Sequence, residues 1–274
     1  MTPQPLAGGI TNLNFSVKDN NEMFVVRAGD DIPLHHVMRF NERAAGQAAF
    51  EAGLSPEIVH SVPGMMVIRF IDGKTLSAAD IQNPDMLQRL VPVLRRCHQD
   101  IPRYLRGPVL SFWVFHILQD YARTIERGEG RLRAELPDLI AQANRLEAAV
   151  GPVDLVFGHN DLLASNFMDN GDKIWLIDWD YAGFNSPLFD LGGLASNNDL
   201  TVDQEAWLLE NYFEAPLRDA LWQRYNAMKC ASLLRESLWS MVSEIHSELD
   251  FDYQAYTETN LRAYKASYQN FLNM

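Results

Sequence analysis

The stretch LVFGHNDLLASNFMDNGDKIWLIDWDYAGFNSPLFDLG, from Leu155 to Gly192, decides how the 274-residue chain is read. Its apolar runs are short and its turns are polar, the texture of a β segment set into a helical sequence. Asn166-Phe-Met168 and Lys173-Ile-Trp-Leu-Ile177 flank Asp169-Asn-Gly-Asp172, and an Asn-Gly pair favours a two-residue hairpin loop. With Asn170-Gly171 as that loop, Asn166 is expected to face Trp175. Asp178 then comes back beside Leu163, within the loop that opens at Asp161. Residues well separated in sequence collapse into one place.

Asp161, Asn166 and Asp178 bring the hard oxygen atoms that Mg²⁺ prefers. Such a trio can hold one or two Mg²⁺ ions on the phosphates of a nucleotide and leave one carboxylate to accept a hydroxyl proton. Phosphoryl transfer asks for little more, because its catalysis is mostly positioning and charge neutralisation. Taken singly, the same carboxylates read as acidic turn residues that keep a hairpin soluble. Taken together, with His159 just before Asp161 and Asn166 five residues after it, they form a constellation.

Upstream, the chain alternates in the manner of half-buried strands. Ile10 to Val17 and Met23 to Arg27 are expected to pair across the turn residues Asp19-Asn-Asn-Glu22. Phe40 to Ala52 is Ala-rich and stops before Gly53, which suits a helix with a glycine just past its end. Met65 to Ile71 reads as a further strand, closed by Asp72-Gly73. Beyond it the texture turns helical. Leu87, Leu90, Val91, Leu94 and His98 share one helical face, with Pro92 expected in the first turn of that helix or at a kink, and Leu139, Ile140, Ala143, Leu146 and Val150 share another. Arg218 to Glu248 has neither Gly nor Pro and reads as one or two long helices, and Leu261, Tyr264, Tyr268 and Leu272 mark a last one. The expected fold class is α+β: a small β-rich lobe with one helix, residues 1–72, and a larger, mainly helical lobe, residues 73–274. The segment from Pro102 to Arg133 offers no motif.

Composition limits the partners. Hydrophobic residues make up 47% of the chain, enough for a sizeable core. With 23 Lys+Arg against 36 Asp+Glu, the net charge is −13. So acidic a chain is a poor binder of nucleic acid or of an anionic membrane, since both need many cations. The acidity is local: residues 154–214 hold 12 acidic side chains and only Lys173 as a base. That excess favours a cationic partner. Cys97 and Cys230 lie in apolar periodic stretches and read as buried thiols of a reducing compartment. The opening MTPQPLAGGI has no basic-then-apolar leader pattern, so a cytoplasmic protein is expected. Gly73-Lys-Thr75 echoes the end of a P-loop, but Ile68 stands where the first glycine is needed, and there is no G-x-G-x-x-G.

His159-Asn-Asp161-Leu-Leu-Ala-Ser-Asn166 resembles the HxDxxxxN catalytic loop of protein-kinase-like phosphotransferases. Ile177-Asp178-Trp-Asp180-Tyr181 is similar to the metal-binding segment of the choline/ethanolamine kinase and aminoglycoside phosphotransferase group, and the match is closest to the choline/ethanolamine kinase family. It extends over nearly the whole chain. Gly8-Gly-Ile-Thr-Asn12 resembles that family's phosphate loop, Phe24-Val-Val-Arg27 its cation-bearing strand, Asn41-Glu42-Arg43 its first helix, and Arg69-Phe-Ile71-Asp-Gly73 its hinge. The resemblance implies a protein-kinase-like two-lobe fold that uses ATP and Mg²⁺. It implies that Asp161 accepts the proton of the attacking hydroxyl, and that Asn166 and Asp178 hold the metal. Arg27 would contact the phosphates with Glu42 fixing its orientation. Thr11 and Asn12 would cover those phosphates, the backbone of Phe70 and Ile71 would read adenine, and His159 would brace the loop.

For the acceptor, aromatic residues gather late in the chain. A quaternary ammonium cannot donate a hydrogen bond, so a site that holds one relies on aromatic faces. Trp239, Phe251, Tyr253 and Tyr256, with Tyr181 and Asp180, resemble the choline pocket of the family; as plain residues of a helical lobe they are also ordinary core aromatics. Choline kinases of the family often carry a second Trp one helical turn earlier, where this chain has Glu236. A carboxylate there can pair with an ammonium N–H, which ethanolamine has and choline lacks. The implied acceptor is the hydroxyl of choline, ethanolamine or a related amino alcohol. An aminoglycoside or thiamine kinase, or a non-catalytic nucleotide-binding pseudokinase, is the alternative. Nothing in the sequence bears on oligomeric state.

Overall fold

The computed structural model describes residues 3–6 and 12–274. Thr11 and the Gly8-Gly9 pair, expected over the phosphates, lie outside the described residues. The chain forms two compact units, each discontinuous in sequence. The first runs to Leu110 and adds Leu163–Gly183; the second joins Ser111–Leu162 to Phe184–Met274. The expected boundary at Asp72-Gly73 falls inside the first unit, because the chain just beyond it pairs back onto that unit.

In the first unit, strands β1 (Gln4–Pro5), β2 (Leu13–Asp19), β3 (Glu22–Ala28), β4 (Ile58–Val62) and β5 (Met65–Arg69) form an antiparallel sheet in the order β1-β2-β3-β5-β4. Asp19 pairs with Glu22, so Asn20-Asn21 is the tight turn expected, with Asn20 left-handed at φ 53°. Strand β4 was not expected. It closes on β5 through Pro63-Gly64, where proline fixes one turn dihedral and Gly64 takes φ +77°. Helix α1 (Arg39–Glu51) buries Ala45, Ala48 and Ala49. Its first amide is capped from a distance by Asp31 Oδ1 at 2.7 Å, and Gly53 ends it at φ +71°. At Gly46 a Cβ would come within 3.1 Å of the Ile58 side chain, so the helix lies close on the unit's core.

A second, three-stranded sheet brings the unit's later segments in. Its order is β6 (Lys74–Thr75), β8 (Phe167–Asp169), β9 (Ile174–Leu176), with β7 (Val156–Gly158) lying earlier in the chain. Short helix α2 (Ala78–Ile81) leads to α3 (Pro84–Asp100), which buries the expected face of Leu87, Leu90, Val91, Leu94 and His98, with Pro92 in mid-helix. Arg89 of α3 grips Asp169 with two hydrogen bonds of 2.5 and 2.9 Å.

The second unit is built around α8 (Asp219–His246), one helix where one or two were expected. Helices α4 (Val114–Arg127), α5 (Leu136–Val150), α6 (Pro187–Asn197) and α9 (Tyr253–Leu272) pack on it, and α7 (Val202–Phe213) adjoins α6. At Gly192 a Cβ would sit 2.9 Å from the Lys229 Cα, so α6 and α8 touch backbone to backbone there. Strand β10 (Gly183–Asn185) pairs with β7 and leads into α6. Cys97 and Cys230 are free and buried. Among the described residues no helix is long and apolar enough to cross a membrane.

Candidate active site

The hairpin of the first unit carries one half of the constellation, in a register shifted from the expected one. Phe167 pairs with Leu176, Met168 with Trp175 and Asp169 with Ile174. The loop is therefore the four residues Asn170 to Lys173, not Asn170-Gly171 alone. Turn side chains set it: Asp169 Oδ1 accepts from the Gly171 amide at 2.9 Å and Asn170 Oδ1 from the Lys173 amide at 3.0 Å. A shift of two residues leaves every side chain on its face. It also moves Asp178 nearer Asn166: the Ile177 amide donates to the Asn166 carbonyl at 3.0 Å, and Asn166, not Leu163, is the neighbour of the Ile177-Asp178 segment.

Around this hairpin, two arginines meet three carboxylates. Arg27 Nη2 lies 2.9 Å from Asp178 Oδ1 and 3.1 Å from Asp180 Oδ1, and its Nε is 3.1 Å from Glu42 Oε1, the partner expected for it. Arg39 Nη1, which the sequence reading missed, joins Glu42 at 2.7 Å and Asp180 at 2.8 Å. Asn12 Nδ2 donates to Asp180 Oδ2 at 3.1 Å. Burial works against the charge on Arg27, but Asp178, Glu42 and Asp180 outweigh it and hold the guanidinium more firmly charged than a free arginine. Asp180 is pushed up to about 7, by burial first and then by Asp178 and Glu42, against the pull of both arginines. Two cations thus face three acids, one of which, Asp180, takes up a proton near neutrality. Asp180, expected to face the substrate, is thus a buried member of the cluster that holds Arg27.

Asn12, Arg27, Arg39, Glu42 and Arg43 line a small open cleft in the first unit, beside the β4–β5 turn. Three guanidinium groups along one cleft suit an anion with several oxygens. Among the described residues no group of three or more His, Cys, Asp or Glu side chains could hold a metal unaided. The amide oxygen of Asn166 and the carboxylate of Asp178 nevertheless fit Mg²⁺, which takes one or two protein oxygens and fills its octahedron with phosphate and water. At the expected hinge, the Phe70 amide donates to the Met23 carbonyl at 3.1 Å, and Ile71 is buried beside it.

The second unit carries Asp161. The amides of His159 and Asn160 donate to the two oxygens of Asp190 on α6, at 2.8 and 2.7 Å. Asp190 is 2% exposed, and two backbone donors satisfy what would be a costly buried carboxylate. Asn160, left-handed at φ 64°, accepts from Asn185 Nδ2 at 3.0 Å and donates to the Gly158 carbonyl at 3.3 Å. Gly158 has no room for a side chain: a Cβ would meet Asn160 Oδ1 at 2.8 Å. From α8, Arg235 Nη2 donates to the Asn160 carbonyl at 3.1 Å and lies 3.7 Å from Asp161 Oδ1. The Asp161 side chain keeps 20% exposure. His159 is fully buried at the root of the loop.

The late aromatics meet in this unit. Trp239 of α8 lies 6.1 Å from Tyr253 and 6.4 Å from Tyr256 on α9, ring centre to ring centre, and Phe251 lies 4.8 and 5.6 Å from the same two tyrosines. Trp239 and Tyr253 are buried, while Phe251 stands open at the edge. Glu236 closes the group: Tyr256 Oη donates to its Oε1 at 2.7 Å, and Arg235 Nη1 to its Oε2 at 2.8 Å. Burial, then Glu236, raises the Tyr256 phenol well above its usual range, so it stays protonated and donating. Tyr181 is buried within the first unit.

Sequence reasoning missed Arg39, Asp190 and Arg235. Arg39 and Arg235 each stand beside or near a glutamate in a helical stretch and look there like surface charges. Asp190 carried a signal, an acid inside the apolar run Pro-Leu-Phe-Asp-Leu-Gly192, where burial requires a partner.

A small antiparallel sheet with one helix, a helical remainder, and an HxDxxxxN loop followed by Ile-Asp-Trp-Asp define a kinase-like phosphotransferase acting on an alcohol group. The chain belongs to the Choline/ethanolamine kinase family, whose profile it matches over residues 4–208. It is 28% identical to the "Probable ethanolamine kinase" of Arabidopsis thaliana over 299 aligned residues, 95% of this chain and 78% of the relative. It is 27% identical to "Protein LicA" of Haemophilus influenzae over 257 residues, covering 90% of this chain and 75% of that protein. Among solved structures, the choline/ethanolamine kinase family protein from Mesorhizobium loti superposes with a TM-score of 0.81 at 30% identity, over 97% of this chain and 88% of that one.

Proposed function

We propose that the protein is an ATP- and Mg²⁺-dependent cytoplasmic kinase that phosphorylates the hydroxyl of choline, ethanolamine or a related amino alcohol. The observation that carries this reading is the ring group of Trp239, Phe251, Tyr253 and Tyr256 closed by Glu236, in the same unit as Asp161 and linked to its loop through Arg235. Aromatic faces and a carboxylate together attract a small ammonium ion. The first unit's arginines bind the nucleotide's phosphates, Arg27 being oriented by Glu42. Asn166 and Asp178 hold the magnesium, which when bound neutralises charge on those phosphates. The substrate oxygen bonds to the terminal phosphorus as the bond to the ADP oxygen breaks, and the hydroxyl proton passes to an oxygen of Asp161.

The cationic partner agrees with the acidic central strip, and the aromatic group favours a small ammonium over a large aminoglycoside. An intact Asp161, Asn166 and Asp178 set favours catalysis over mere nucleotide binding. A coupled ADP-release assay with choline, ethanolamine, thiamine and kanamycin, with and without Mg²⁺, tests the reading. Turnover is expected with an amino alcohol and Mg²⁺, and Asp161→Asn is expected to reduce kcat by at least ~100-fold. Turnover only with kanamycin or thiamine sinks the substrate assignment, and full turnover by Asp161→Asn sinks the mechanism.

A further inference from the structure

Resting on the amino-alcohol reading, we propose that Glu236 selects substrates whose ammonium keeps at least one N–H, and that Arg235 is the positioning residue joining that recognition to the loop of Asp161. Glu236 and Trp239 are three residues apart on α8 and so share a helix face. The Tyr256 hydroxyl that donates to Glu236 belongs to a ring in contact with Trp239 and Phe251, which puts the carboxylate at the rim of the ring group.

A carboxylate offers about four acceptor positions, and Tyr256 and Arg235 each take one. The Glu236 side chain remains 25% exposed, so acceptor capacity is still open beside the rings. The rings attract any ammonium, methylated or not, since their pull is on charge alone. Glu236 distinguishes among them. An N–H directed at it makes a charge-assisted hydrogen bond, the stronger kind, and a trimethylated nitrogen has none to give. A site built to receive an N–H discriminates against the analogue that lacks it.

Arg235 gives the recognition its connection. Its side chain is 5% exposed and its guanidinium lies 5.7 Å from the Phe112 ring centre. One nitrogen holds Glu236, and the other holds the Asn160 carbonyl and approaches Asp161. A single buried, planar cation therefore fixes both the carboxylate that meets the ammonium and the loop that receives the proton. Lysine carries the same charge but lacks the fork needed to reach both.

The test is a methylation series with the whole chain: ethanolamine, N-methylethanolamine, N,N-dimethylethanolamine and choline, with kcat and KM for each. In the wild type, kcat/KM is expected to change little until the last methyl and then to fall about tenfold or more, mostly through KM. Glu236→Ala is expected to flatten that last step to about threefold or less. Arg235→Met is expected to lower kcat about tenfold or more with KM for ATP unchanged, and Arg235→Lys to recover only part of it. Thermal midpoints and Mg-ATP affinity of each variant report on folding independently of turnover. Wild-type turnover that is equal across the series, or a last step that survives Glu236→Ala, overturns the inference and leaves the kinase reading standing. Turnover with none of the four alcohols overturns the reading beneath it.

Discussion

Arg27 illustrates how much one side chain can be asked to do. It is 9% exposed and touches Glu42, Asp178 and Asp180, two of which it shares with Arg39. Removing one partner of such a group strands the others without compensation. Arg27→Met is therefore expected to lose about 3 kcal/mol of unfolding free energy in urea, together with Mg-ATP binding. An unchanged midpoint would mean that water already serves those carboxylates. The pairing of Arg27 with Glu42 was legible only through the resemblance to the family. The share taken by Asp180 was not, because Asp178 is left-handed at φ 67° and re-aims the chain just after the strand, which the order of residues does not announce.

Among the elements, periodic ones were readable and fully buried ones were not. Helix α3 shows its stripe plainly, whereas α6 buries Leu188, Phe189, Asp190, Leu191, Gly192 and Leu194 all round and so has no polar face to set a period. Helix α4 has the stripe Val114, Phe115, Ile117, Leu118, Tyr121, Ala122 and Ile125, a helical period in a segment that carries no motif. The hairpin register erred by two residues because loop length depends on side-chain-to-backbone bonds that an Asn-Gly pair alone does not specify. Gly192→Ala would push a methyl against the α8 backbone and is expected to cost about 1–3 kcal/mol by urea denaturation. At α2, Ser77 and Asp80 form a reciprocal cap, and Lys74 Nζ lies 2.6 Å from Asp80. The Lys74 contact first, then the Ser77 hydroxyl and amide, lower the Asp80 carboxyl to about 2. A lowered acid stabilises the fold fully above its unfolded value of about 4 and loses that contribution as pH falls through about 2. NMR titration is expected to find the midpoint there, and a midpoint near 4 would mean the cap is open.

For the whole molecule, the net charge of −13 has a different meaning once its acids are placed. In the acidic strip, Asp169 is held by Arg89, Asp178 and Asp180 by Arg27 and Arg39, and Glu205 by Lys229, while Asp190 accepts two backbone amides. Four of the strip's twelve acids are thus paired with bases from elsewhere in the chain, so part of its local excess is internal wiring. The field left there to steer a cation is reduced by those pairs, and raising salt from 50 to 300 mM is expected to lower kcat/KM for an amino alcohol by no more than about threefold. A steeper fall would assign the acids a larger part in steering. The anchoring of His159 and Asn160 by Asp190 has a consequence in time as well as in space. Their amide hydrogens can exchange with solvent only when α6 lets go of the loop, and α6 lies against the longest helix of its unit. Hydrogen exchange at these two positions is thus expected to be among the slowest in the protein, at the rate of whole-unit opening and with the same denaturant slope. The backbone just before the proposed proton acceptor would then keep time with the core.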